Sequence, residues 1–267
     1  MTGGIRIKAL LQFAVMAFGC SLLSQVAQGE SFDKPIRKVV VEVGQSKHFS
    51  PNDDRDFSLE CFYYPAFMVK QLWAKDWKGT VMVTAISSPP DQLPPCRITI
   101  NDPGESGEDG WVFIGAKGPL LFWEAPDGLN GGEDFRVVDL RTGKKIFEDT
   151  ALIWNRRAIQ PFGFASAPDG KMLIRYRRVV VGDCSIPKDG TSCWSKLKVR
   201  FGLGNAPIPK CTGYRQPGQK GWVFPDPGVP PEEIGTESAL TYPVEVELLP
   251  QPLTRPIPGL IRCSAAE

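Results

Sequence analysis

His48 is the one imidazole in this chain of 267 residues. Nucleophilic catalysis through a Ser–His or Cys–His pair needs a base that titrates near neutrality. A lone histidine in the polar loop GQSKHFSPNDDRD fits an ordinary surface residue better than a catalytic base. Ser185-Ile-Pro-Lys188 satisfies S-x-x-K by letter. That motif works when one helical turn sets Ser beside Lys, and Pro187 in a turn-like segment argues for coincidence.

Carboxylates offer a second chemistry. Between Asn101 and Asp134 the chain carries Asp102, Glu105, Glu108, Asp109, Glu124, Asp127, Glu133 and Asp134 against the single Lys117. Two carboxylates held ~5–9.5 Å apart can hydrolyse a glycoside, and Glu124, Asp127, Glu133 and Asp134 are the candidates, with Trp111 and Trp123 as stacking faces for a sugar. Glu133 and Asp134 are adjacent, so in a strand they point to opposite faces. The competing reading is that acids in Gly-rich loops solvate turns while the tryptophans fill the core. The loop DGLNGGED also suggests a hard cation, but Leu129 and Gly131 stand where an EF-hand needs oxygen ligands. No phosphate-cradling Gly-rich motif occurs, and no metal or other cofactor is expected.

The strongest local concentration of positive charge lies in Lys171 to Gly204, KMLIRYRRVVVGDCSIPKDGTSCWSKLKVRFGLG. Two runs rich in β-branched and aromatic residues flank the turn-like SIPKDGTS, which predicts a hairpin. A Cys184–Cys193 disulfide would close it, with Tyr176 opposite Phe201, Val180 opposite Leu197, Arg178 opposite Val199 and Arg177 opposite Arg200. One ribbon face would then carry Arg175, Arg177, Lys196, Lys198 and Arg200, five cations whose counter-charge comes from a partner or from carboxylates elsewhere in the chain, water and salt.

The remaining cysteines say where such a face would work. MTGGIRIK followed by the apolar run Ala9 to Val26 predicts a secretory signal peptide over residues 1–29, cleaved after Gly29. Cys20 after Gly19 offers a lipoprotein site as the alternative, although Ala17 and Phe18 suit it poorly. Six cysteines then remain, an even number that predicts three disulfides in an oxidising compartment. Chain order assigns Cys61–Cys96 and Cys211–Cys263 beside Cys184–Cys193. Residues 1–29 hold Arg6 and Lys8 and no acid, so their removal takes the formal charge of +1 slightly negative, which argues against nucleic acid as a partner.

These residues are positioned by strands. RKVVVEV, SLECFYY, MVKQLW, TVMVTAIS, CRITI, WVFIG, LLFWE, the hairpin FRVVDLRTGKKIFED, ALTYPVEVEL and the last run into Cys263 all read as β. No segment shows a sustained 3.6-residue apolar period with caps, so helix is expected to be scarce. The chain is read as one all-β domain over residues 30–267, a sandwich or barrel of about a dozen short strands, with a Pro-rich coil at about 205–237 and a small propeller as the remaining alternative. The functional expectation is an exported, periplasmic, non-enzymatic protein whose basic face binds an anionic glycan, lipopolysaccharide or an acidic protein. A small carbohydrate-active hydrolase is the alternative.

Overall fold

The computed structural model describes residues 30–45, 56–74, 80–97, 111–125, 132–153, 161–215, 232–233 and 235–266. Residues 1–29, expected to form a signal peptide and including Cys20, lie outside them, as do His48, Asp127 and residues 216–231 of the Pro-rich segment. The described chain is all-β with one α-helix, and neither of its two main sheets closes on itself.

The first sheet is an antiparallel meander of β1 (Arg37–Gln45), β2 (Asp56–Tyr63), β3 (Phe67–Ala74) and β4 (Thr80–Ser87). Its alternation is read directly from the sequence: Phe57, Leu59, Cys61 and Tyr63 are buried while Ser58, Glu60 and Phe62 on the other face are only partly so. The buried set packs with Met68, Leu72 and Ala74. The Cys61–Cys96 disulfide, Cα atoms 5.8 Å apart, draws the segment after β4 across this face. Cys96 itself sits in a bend rather than in the strand expected for CRITI.

The second sheet is formed by β5 (Val112–Lys117), β6 (Leu120–Glu124), β7 (Gly132–Asp139), β8 (Lys144–Leu152), β9 (Gly163–Ser166) and β10 (Met172–Val181), then, beyond helix α1 (Ile186–Phe201), by β11 (Cys211–Thr212), β14 (Ser238–Glu247), β15 (Leu253–Pro256) and β16 (Arg262–Ala265). Short β12 (Tyr214–Arg215) and β13 (Glu232–Glu233) pair with each other. The order across it is β11-β16-β14-β10-β8-β7-β6-β5, with β15 also on β14 and β9 on β10. Its inner face bears Phe122, Phe135, Val137, Ile174, Tyr176, Leu240, Tyr242, Val244 and Val246 in one core with Trp194 and Leu197 of α1. At the β5–β7 end the outer face meets the first sheet through Trp111, Phe113, Leu121 and Trp123 against Tyr64, Phe67 and Val69. Gln71 Oε1 accepts the buried Phe113 N–H at 2.7 Å across that junction.

The helix corrects the expected hairpin. Only its first arm is a strand; Tyr176 lies opposite Val244, Arg177 opposite Pro243, Arg178 opposite Tyr242 and Val180 opposite Leu240. In the second arm Cys193, Trp194, Leu197 and Phe201 recur at spacings of three and four, so a helix gathers them on one side. Val199, in phase with Leu197 for a strand, is 85% exposed. The turn signal in Asp189-Gly190 has its cause in Gly190, whose φ of 54° and ψ of −128° break the first helical turn. Cys184 and Cys193 do bond, Cα atoms 5.7 Å apart, and the bridge ties the entry of α1 to its second turn. Ser238 Oγ accepts the Ile186 N–H at 2.9 Å, satisfying one donor at the helix start. Left-handed Gly202 (φ 65°) ends the helix. The third disulfide, Cys211–Cys263, joins paired residues of β11 and β16.

Candidate functional site

With the second arm helical, the five expected cations divide between two surfaces. Arg175 and Arg177 project from the outer face of β10, as alternation from buried Ile174 and Tyr176 requires. Lys196 and Arg200 lie exposed on α1, which covers the inner face, and Lys198 is partly buried there. Arg200 approaches Asp183 at 3.9 Å with both side chains more than half exposed, a contact of little energetic weight.

Strand pairing brings two other arginines to Arg175 and Arg177. Arg175 lies across from Glu245, and Glu245 across from Arg255 of β15. Arg262 of β16 lies across from Thr241, on the same face of β14 as Glu245. Four guanidiniums therefore stand on one sheet face, beyond the end that the first sheet covers.

One carboxylate serves two of them. Glu245, 7% exposed at its side chain, accepts Arg175 Nε and Nη2 on Oε2 at 2.8 and 2.7 Å and Arg255 Nε and Nη2 on Oε1 at 3.1 and 2.5 Å. Burial works against its charge, but the bonds from Arg255 and Arg175 prevail and hold the carboxyl below its ordinary range. Both arginines keep about half their surface in solvent. Lys171 at the strand entry pairs with Glu247 and Asp169.

Arg177 and Arg262 pair with no carboxylate among the described residues. Arg177 Nη2 donates to the carbonyls of Thr241 at 3.1 Å and Leu260 at 2.9 Å, while its buried Nε has no acceptor. Burial and then the charge of Arg262 pull the Arg177 guanidinium below its ordinary pKa. Across the four guanidiniums and Glu245 the local charge is strongly positive.

Of the carboxylates of the hydrolase reading, the described ones divide between the two faces of the sheet. Glu124 lies opposite Phe135 on the inner face and is 1% exposed. Glu133 shares that face; Asp134 projects from the other and accepts Thr150 Oγ1 at 2.6 Å. Asp127 lies outside the described residues. Trp111 and Trp123 are buried between the sheets, with the Arg136 guanidinium 4.4 and 5.2 Å from their ring centroids. They pack the core and hold a cation rather than offering open stacking faces. On the inner face Asp149 accepts Arg178 Nε at 2.9 Å and the Tyr176 hydroxyl, which engages both of its oxygens. Ser185 is buried just ahead of α1 and Lys188 is exposed in its first turn.

A groove of about 320 Å³ runs beside the segment Ser31–Pro35, lined by Phe32, Asp33, Phe62, Tyr64 and Phe113. Its carboxylate is engaged: Asp33 accepts the Gly118 N–H at 2.6 Å and Lys117 Nζ at 3.1 Å. Burial and then the Asp33 charge push the Tyr64 hydroxyl up to about 12.

Arg255, Arg262 and Glu245 escaped the sequence because they meet through pairings formed far along the chain; Arg175 and Glu245 are 70 residues apart. The only local signal was the alternation PVEVEL, which sets Glu245 and Glu247 on one face. No family model, no curated protein and no solved structure matches this chain. The three disulfides are compatible with an oxidising compartment. Among the described residues no helix is long and apolar enough to cross a membrane.

Proposed function

We propose that this is an exported, periplasmic, non-enzymatic β protein whose arginine face binds an anionic component of the bacterial envelope. The observation that carries the reading is the charge imbalance on one rigid sheet face: Arg175, Arg177, Arg255 and Arg262 share Glu245 as their single bonded carboxylate among the described residues. A planar guanidinium matches phosphate and carboxylate oxygens in pairs and is weakly hydrated, so a cluster of four favours an oxyanion partner over other ligands. The strands fix the spacing of these side chains, which lowers the cost of ordering them on binding. The surface field reaches about one Debye length, ~8 Å at physiological ionic strength, so attraction is local and sensitive to salt.

The test is retention of the purified protein on vesicles containing phosphatidylglycerol, compared with neutral phosphatidylcholine vesicles, over a salt gradient. Retention confined to the anionic vesicles and lost with salt supports the reading. Hydrolysis of a polysaccharide that is abolished by Glu124→Gln or Glu133→Gln would replace it.

A further inference from the structure

Arg177 reaches across Thr241 toward the segment that carries Arg262. Arg262 lies opposite Thr241 in β16, while Arg177, placed opposite Pro243 in β10, sends Nη2 to the Thr241 carbonyl at 3.1 Å. The same nitrogen holds the Leu260 carbonyl at 2.9 Å, two residues before Arg262. Backbone acceptors and strand register thus set the two arginines on one sheet face, near enough for the charge of Arg262 to act on Arg177, and neither is bonded to a described carboxylate. Two like charges held together without a counter-ion repel, and this repulsion is relieved when an anion sits against both.

We propose that Arg177 and Arg262 form a seat for a single phosphate group, preferably a terminal monoester or free phosphate that carries close to two negative charges at neutral pH. The inference rests on the anion-binding reading above and deepens it by naming the ligand chemistry. Arg177 has a donor to spare: Nη2 serves two carbonyls and Nε is shut away from solvent, which leaves Nη1 as the nitrogen without a partner among the described residues. Arg262 is exposed and can present its fork to solvent. Arg175 and Arg255 are held by Glu245, so they shape the surrounding field rather than grip the phosphate.

Arg262→Gln is the informative substitution, because Arg262 is exposed and makes no hydrogen bond that the fold needs. Binding of inorganic phosphate is followed by calorimetry and by thermal melting, in phosphate against sodium chloride of equal ionic strength. The wild type is expected to bind saturably and melt higher in phosphate. Arg262→Gln should bind roughly tenfold more weakly or worse, as befits the loss of a charge-assisted hydrogen-bond pair, and lose the rise in melting temperature. Arg262→Lys should restore part of the binding. Equal phosphate responses in wild type and Arg262→Gln, or none in either, would overturn the seat. Vesicles doped with phosphatidic acid separate the sources: if they compete with inorganic phosphate the group is lipid-borne, and if they do not it is free phosphate. A wild type without phosphate response that is still retained on anionic vesicles sinks the seat alone. A phosphate response without vesicle retention keeps the seat and sinks the envelope-binding reading.

Discussion

Arg175 faces Glu245 across the β10–β14 pairing and places Nε and Nη2 on Glu245 Oε2 at 2.8 and 2.7 Å, while Arg255 holds Oε1. The carboxylate is buried and the two cations are half exposed, so this triad neutralises part of the face and also braces β15 against β14.

Glu245→Gln should therefore act in two directions. Loss of the shared acceptor is expected to cost about 1.5–3 kcal/mol in urea unfolding, the usual range for a hydrogen bond to a charged group. The variant face gains net positive charge, and retention on anionic vesicles should shift to higher salt. A variant that is less stable yet elutes with the wild type would separate the triad from binding.

Acid should weaken the fold through the same residue. The folded-state pKa of Glu245 is depressed, so its contribution is complete above the unfolded value of about 4.3 and disappears as pH falls through the lower folded value. Asp139, lowered by its hydrogen bonds from Arg141 despite burial, adds a second loss with the same sign. Urea midpoints measured between pH 5 and pH 2 should fall, and the fall should be shallower in Glu245→Gln.

The Cys184–Cys193 bridge closes a separation of 9 residues. Chain entropy for so small a loop gives roughly 2–3 kcal/mol. The double Ser variant should fold with lowered stability, because buried Trp194 and Leu197 still hold α1 to the sheet. Failure to fold would show that the bridge, not the apolar helix face, fixes the helix.

Gly115 and Phe32 form a close pair: a Cβ at Gly115 would lie 2.5 Å from the Phe32 ring. Phe32 packs against Phe122 and Phe164, and Asp33 N–H donates to the Ala116 carbonyl, so the segment before β1 is docked on β5. Gly115→Ala should cost about 1–3 kcal/mol by overpacking. A Phe32→Ala change in the same chain should recover part of it, and additive losses in the double-mutant cycle would contradict the contact.

The strands were legible wherever one face is buried and alternation is strict, as in Phe57, Leu59, Cys61 and Tyr63, and LLFWE showed the continuous burial of a strand covered on both faces. The segment from Cys193 to Phe201 was ambiguous by its own residues. Leu197, Val199 and Phe201 fit a period of two, and Cys193, Trp194, Leu197 and Phe201 fit a helix. What settles it is packing against Tyr242, Val244 and Val246, about 45 residues on, which no local pattern carries. The grouping of the cations was out of reach for the same reason. Cations adjacent in sequence were placed together, whereas the register gathers Arg175 and Arg177 with Arg255 and Arg262, and α1 carries Lys196 and Arg200 to the other side of the sheet.

That division gives the most direct measurement of the account, the salt at which three proteins leave phosphatidylglycerol vesicles: wild type, Arg255→Gln/Arg262→Gln on the sheet face, and Lys196→Gln/Arg200→Gln on α1. Each pair removes two exposed positive charges, so net charge is matched and only position differs. The sheet-face variant is expected to leave at distinctly lower salt, and the helix variant to leave with the wild type. Early release of the helix variant with an unchanged sheet-face variant, or no retention of the wild type even at low salt, would contradict that expectation.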